Sequence, residues 1–339
     1  AAAGLCHSDL SVIDGSRPRA MPMVLGHEAS GIVRETGPGV TDVAPGDHVV
    51  FSFVPVCGRC RPCLSGRGAL CERGARANLA GTLLSGARPF SDGAGRACHH
   101  HLGVSAFSQW TVAAQESLVK IDPALPLATA ALFGCAVLTG VGAVVNTARV
   151  EPGAAVAVFG LGGVGLSVVM GAAAAGASPI IAVDRLADKV ALARELGATH
   201  GLVAEDGLDP AAAVRELTDG GADYAFESVG SEQVLAQAYA ATRRGGTTVT
   251  LGLPHPARQF SVPAVSIVAE ERTIKGSYMG SSVPRRDIPR YIAMHRAGLL
   301  PVERLHSHSL ALDEINAGFD RLAQGRAVRQ LIRFEAANG

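Results

Sequence analysis

Four cysteines crowd between positions 57 and 71 in the pattern C-x2-C-x2-C-x7-C: Cys57, Cys60, Cys63 and Cys71. Three thiols two residues apart on a loop of Gly, Pro and Arg can wrap one tetrahedral ion, and the fourth closes the shell. Arg59, Arg61 and Arg67 lie among them and would offset the thiolate charge. Four thiolates leave no open position, so the ion would be structural, zinc above all. A zinc ribbon that reads nucleic acid would carry such a cluster too. A single cluster inside a long chain of zero net charge speaks against it. A second set is spread out: Cys6, His27 and Cys135. Two thiolates and an imidazole would leave a fourth position for water or substrate, as in a catalytic zinc site. Spacing alone does not link them. Cys135 in an apolar run also reads as a core cysteine, and Gly26-His27 as a turn.

A third stretch could bind a nucleotide. Apolar Ala154 to Phe159 reads as a buried strand, followed at once by Gly160-Leu161-Gly162-Gly163-Val164-Gly165. An Ala-rich helix and a second strand, 178–183, come next, ending on Asp184. In a βαβ dinucleotide site, Gly160 permits the tight turn. Gly162 lets the backbone approach a pyrophosphate, and Gly165 lets helix and strand pack closely. The helix N-terminus adds free N–H groups and partial positive charge. A carboxylate at Asp184 can accept from an adenosine ribose, which favours NAD over NADP. The stretch 152–183 is uncharged and could also be a membrane span, but its nine Gly and Pro argue against a continuous helix.

The elements that must position these groups follow from composition and pattern. The chain of 339 residues is long enough for two domains, and 48% hydrophobic residues can build a large core. Thirty basic and thirty acidic side chains cancel, and no basic block points to nucleic acid or a membrane surface. Residues 1–10 lack the pattern of a signal peptide. Clustered cysteines fit metal binding in a reducing compartment, with cytoplasm as the expectation. Short β-branched runs between Gly and Pro at 22–56 predict a compact β domain. A loop-like, Cys-rich segment is expected at about 55–100, a strand at 107–112, and a buried helix pair at 123–147. From 154 onward strands (199–203, 223–227, 247–251, 273–278) alternate with helices (186–196, 209–218, 232–242). With the first two strands they make the six of a doubly wound sheet. Helices near 287–297 and 312–324 and a strand at 330–334 complete the chain.

Taken together, CHSD at 6–9, GHE at 26–28, the four-cysteine lobe and HHLGVSAFSQW resemble the zinc-dependent medium-chain alcohol dehydrogenases. FGC at 133–135, VFGLGGVG at 158–165 and RTIKGSYMG at 272–280 extend that likeness over nearly the whole length. The resemblance implies an α/β-plus-β fold: a GroES-like catalytic β domain (1–136 and 280–339) and a Rossmann cofactor domain (137–279), with substrate in the cleft between. It implies a catalytic zinc on Cys6, His27 and Cys135, and a structural zinc on the lobe. Glu28 would lie close behind the catalytic metal, and Asp9 would orient the zinc-bound histidine. Ser8 matches the hydroxyl that takes the alcohol proton. His7 matches a base that touches the cofactor, and Phe53 a substrate-pocket aromatic. Cofactor contacts would come from Gly160, Gly162, Gly163, Val164, Gly165, Asp184, Lys189, Arg329 and Thr139. The reaction implied is oxidation of a primary or aromatic alcohol by NAD, with two zinc ions per chain. Thiol-dependent formaldehyde oxidation, with Arg76 or Arg88 at the pocket rim, is a second reading. A catalytically silent, NAD-binding zinc protein is a third.

Two departures stand out. Many relatives have a relay histidine three residues past the Ser/Thr, where this chain has Ser11. They also carry roughly forty residues ahead of the CHSD stretch, whose loss would leave an unpaired sheet edge. The long segment between Cys71 and His99 resembles the dimeric class, paired through the edge of the cofactor sheet. His99, His100 and His101 look like metal ligands but, being consecutive, are expected to be structural or to sit at a pocket rim. No nucleic-acid or membrane partner is expected.

Overall fold

A computed structural model describes residues 1–334; positions 335–339 of the expected catalytic domain lie outside the described residues. The chain divides into two compact units, one made of 1–138, 282–293 and 302–339, the other of 139–281 and 294–301.

The first unit is built on a mixed six-stranded sheet. Its order is His306–Leu310, Arg329–Arg333, Ala2–Leu5, Glu28–Ile32, His48–Phe51, Leu118–Ile121. Only the first pair is parallel. Ala2–Leu5 is flanked on both sides, so the backbone leading into Cys6 is fixed by two ladders and is not an exposed edge. Ala3, Ala29, Val49 and Phe51 bury one side of this sheet with Val104 and Ala106.

Two expectations fail in this unit. The 55–100 segment is not loop-like throughout. It holds the helices Arg61–Leu64 and Glu72–Ala80, and its strands Phe90–Ser91 and Ala97–His100 pair antiparallel. The helix Glu72–Ala80 starts where Cys71 Sγ accepts from Gly74 N and stops at Gly81, φ +64°. The strand expected at 107–112 does not form. Ser108 Oγ donates to Trp110 O and Thr111 Oγ1 to Val104 O, curling the alternating pattern into bends. The ladder resumes only at Leu118.

The second unit carries a six-stranded, all-parallel sheet in the order His200–Val203, Ile180–Asp184, Val156–Phe159, Ala222–Glu227, Thr242–Thr250, Thr273–Gly276. The six strands and their connecting helices follow the sequence pattern, with ends shifted by a residue or two, except that Thr242–Thr250 starts five residues early. Val156–Phe159 and Ile180–Asp184, buried in the middle of the sheet, read as unbroken apolar runs, which is why they are legible. The uncharged stretch 152–183 is strand, helix and strand, not one span. No single helix among the described residues is long and apolar enough to cross a membrane. The apolar run at 123–147 is helical but broken into Leu127–Ala131, Leu132–Gly134, Ala136–Gly142 and a π-helical turn, Ala143–Ala148. The break falls at Cys135, whose φ/ψ of −140°/−72° takes it out of the helix.

Candidate active site and metal centres

Cys6, His27 and Cys135 come from three distant points of the chain and meet inside the first unit. Cys6 ends the strand Ala2–Leu5 and precedes the short helix His7–Ile13. His27 sits on the turn before Glu28–Ile32, where Gly26 adopts φ +94° and a Cβ would run into Phe107. Cys135 occupies the helix break, and the adjoining Gly134 leaves no room for a Cβ against Phe51 O. All three are buried, and their donor atoms lie within 4.8 Å of one another. Cys135 Sγ is 3.5 Å from His27 Nε2. Bonds of about 2.1–2.3 Å to a tetrahedral ion give edges of about 3.5–3.8 Å, so the set fits zinc.

The electrostatics favour a cation in the same place. Contact with Cys135 and the charge of His27 hold the Cys6 thiol well below its ordinary range, against the cost of burial. Contact with Cys6 and burial push Cys135 up. Burial disfavours charge on His27, yet Asp9 and Cys6 raise it well above the usual imidazole value. Cys6 is thus disposed to be the thiolate, while Cys135 and His27 hold protons that a metal would displace. Asp9 Oδ2 is 2.9 Å from His27 Nδ1, which leaves Nε2 facing the sulfurs. Asp9 is fully buried and its carboxyl stays well below the carboxylate range, because His27 and His101 outweigh desolvation.

Glu28 is fully buried behind this cluster. Burial pushes its carboxyl up to about 7, opposed by Arg329. Its Oε2 accepts from Ala136 N at 3.2 Å, and Arg329 Nε lies 3.5 Å from Oε1. The resemblance implied a pyrophosphate contact for Arg329. The structure places its guanidinium, 3% exposed, against Glu28 on the strand Arg329–Arg333. Ser8 is half-buried in the first turn after Cys6, and His7 is exposed beside it. Ser11, at the relay position, turns its hydroxyl to His7 O, 2.8 Å away. Phe53 stacks edge-on against the His27 ring at 5.7 Å.

Cys57, Cys60, Cys63 and Cys71 form a second cluster, of four donors, with Cys71 buried and the others half-buried. Cys60 Sγ lies 3.4 Å from Cys63 Sγ and 4.0 Å from Cys71 Sγ, close to the edge of about 3.8 Å in a four-thiolate zinc site. Backbone hydrogen bonding from Cys63 draws Cys60 down to about 6, while burial and Cys60 push Cys63 up to about 12. Thiols this close cannot all ionise without a cation among them. Cys57 N and Gly74 N donate to Cys71 Sγ at 3.3 Å.

In the second unit Gly160 takes φ +89°, and a Cβ on Gly165 would stand 1.8 Å from Gly160 O. The helix Gly163–Ala174 has no side-chain cap at Gly162, so its first N–H groups stay open. A Cβ on Gly162 would meet no protein atom; it would fill the space that a pyrophosphate would use. Asp184 accepts from Leu161 N at 2.7 Å and from Leu186 N at 3.0 Å, locking its carboxylate to the glycine loop. Lys189 is half-buried one turn into the next helix, and Thr139 is buried on Ala136–Gly142. The loop residues therefore fit a dinucleotide.

Family models match both parts of the chain. The alcohol dehydrogenase GroES-like domain covers residues 1–123, and the zinc-binding dehydrogenase model covers 163–296. An alcohol dehydrogenase zinc-binding domain protein from Burkholderia ambifaria is 38% identical, over 99% of this chain and 90% of its own, with a TM-score of 0.94. This chain belongs to the medium-chain, zinc-binding alcohol dehydrogenases. The benzyl alcohol dehydrogenase of Acinetobacter calcoaceticus is 34% identical (98% and 90% covered, TM-score 0.90). The alcohol dehydrogenase of Thermus sp. ATN1 is 30% identical (98% and 90%, TM-score 0.83). The protein is thus an oxidoreductase of this family, with a GroES-like and a Rossmann domain.

Sequence reasoning gave no separate role to His101, which the structure brings to Asp9 at 3.1 Å. No spacing signal marks it, because its partner lies more than ninety positions away. The three consecutive histidines part company. His99 Nδ1 is 3.4 Å from Ala80 O and His100 Nε2 is 2.9 Å from Val112 O.

Proposed function

We propose that this protein oxidises a primary or aromatic alcohol to the aldehyde and passes hydride to NAD, with one catalytic and one structural zinc per chain. The observation that carries the reading is the buried Cys6–His27–Cys135 set, three donors with a fourth position left for substrate. Zinc there supplies Lewis-acid polarisation of the alcohol oxygen, and NAD is the hydride acceptor. Around it, Asp9 fixes the His27 ring, Phe53 lines an apolar wall, and Ser8 Oγ takes the alcohol proton. With serine at position 11, that proton leaves through His7 or a water. Asp184 supports NAD over NADP, since a carboxylate repels a 2′-phosphate. A zinc-binding dehydrogenase from Sinorhizobium meliloti, 28% identical, is bound to NADP, so the coenzyme is tested directly.

A cytoplasmic homodimer is part of this proposal. The strand Thr273–Gly276 ends the parallel sheet with its backbone exposed. Beside it in sequence, Val265 and Val268 on the helix Ala264–Ala269 are 71% and 79% exposed, an apolar patch of the kind that pairs subunits. All seven cysteines are free, as a reducing compartment would keep them.

The test is zinc per chain together with NADH and NADPH formation from benzyl alcohol, repeated with formaldehyde and low-molecular-weight thiols. Two zincs and NAD-linked turnover of benzyl alcohol are expected. Strict thiol dependence would replace this substrate class with a hydroxymethyl thiol. One zinc and no turnover would leave a silent cofactor-binding protein.

A further inference from the structure

His101 is buried beside the Cys6–His27–Cys135 set, and the proposed reaction does not use it. We propose that His101 is a positioning residue for the catalytic metal: it holds the second carboxylate oxygen of Asp9, beside His27, and so fixes the imidazole that ligates. The inference rests on reading Cys6, His27 and Cys135 as a metal site.

Asp9 has two oxygens and three neighbours that can donate. Oδ2 faces His27 Nδ1 at 2.9 Å. Oδ1 accepts from Gly26 N at 2.9 Å and faces His101 Nδ1 at 3.1 Å. Both imidazoles approach off the straight N–H···O line, so these contacts are charge–dipole pairs more than linear hydrogen bonds. An ionised carboxylate only accepts, so the proton of each ring must sit on Nδ1. His101 is buried, 2% exposed, and burial lowers its affinity for a second proton.

His101 is itself firmly held. Its N–H donates to Ser105 Oγ at 2.7 Å, and that hydroxyl donates to Val24 O at 2.8 Å. Val104 N and Ser105 N both donate to His101 O. The turn thereby ties His101 to the segment that leads into His27. His101 also stands edge-on to His27 at 5.6 Å, with Phe53 edge-on at 5.7 Å. The ligand ring is thus bounded by two perpendicular rings and anchored by a carboxylate that His101 shares. Without His101, a buried anion would lose one of its three donors, and Asp9 would be free to shift toward Gly26 and away from His27.

The test uses the full chain loaded with zinc, and with cobalt at the catalytic site. His101→Phe keeps a ring and removes the donor. His101→Asn keeps a donor near the position of Nδ1. We expect His101→Phe to release the catalytic ion to a chelator about tenfold faster or more, within the range for residues that support a metal ligand. It should also shift the cobalt absorption bands. His101→Asn should stay within about threefold of wild type, and the lobe ion, an internal check on folding, should be unaffected in both. In an Asp9→Asn background, His101→Phe should add nothing. Unchanged release and spectrum in His101→Phe would overturn the proposal, as would equal damage from His101→Asn or additive effects with Asp9→Asn. A wild-type chain that loads only the lobe ion would overturn the metal reading, and this inference with it.

Discussion

The two thiol-bearing clusters both suit a tetrahedral metal ion but are made in opposite ways. The lobe gathers Cys57, Cys60, Cys63 and Cys71 from one short loop, half-buried, with backbone N–H groups to support the sulfurs. The Cys6–His27–Cys135 site gathers its donors from a strand end, a turn and a helix break, all buried. A local cluster needs only its loop to form; a dispersed one needs the six-stranded sheet first. The dispersed set also offers one protein ligand fewer, the condition for an open, reactive position. On the proposed reading, the structural and catalytic sites differ mainly in how far apart in sequence their ligands lie and how many there are.

That contrast can be broken by experiment. Cys135→Ser or His27→Ala should remove one ion per chain and cut turnover by about a thousandfold or more, while the lobe ion stays. Loss of both ions together, read by elemental analysis, would show that the clusters are not independent. Cys60→Ser should do the reverse, losing the lobe ion and lowering the Tm by about 5–10 °C in a thermal melt. The catalytic ion should remain. Asp9→Asn should weaken the catalytic ion by about 10–100-fold in chelator competition and leave the lobe alone. Gly165→Ala sharpens the comparison from the other unit. Its new methyl meets Gly160 O, so cofactor affinity should fall about tenfold by fluorescence titration with both ions retained. Smallest of all, Arg61→Ala on the exposed lobe surface should change stability by less than about 0.5 kcal/mol.

Much of the fold was legible because its signals are local. The central strands Val156–Phe159 and Ile180–Asp184 announce themselves as apolar runs, and Gly197, φ +114°, stops a helix where a glycine is expected to. The failures are local signals overruled by nearby side chains. The 107–112 alternation is curled by Ser108 and Thr111, and the helix Glu72–Ala80 is started by a sulfur of the four-cysteine lobe, Cys71. The contacts of Arg329 with Glu28 and of His101 with Asp9 escape local signals for a third reason, since the partners lie far apart along the chain.

The sequence by itself determined the four-thiolate lobe, the glycine loop with its acid at Asp184, and the alternation that makes a doubly wound sheet. Each depends on neighbours within a few turns of chain, where spacing dictates geometry. Only the tertiary structure decided that Cys6, His27 and Cys135 meet, that Glu28 is driven up to about 7 behind them, and that Asp9 is shared between two histidines. Those facts depend on strand order and on removal from water. Neither is written in the spacing of any one stretch.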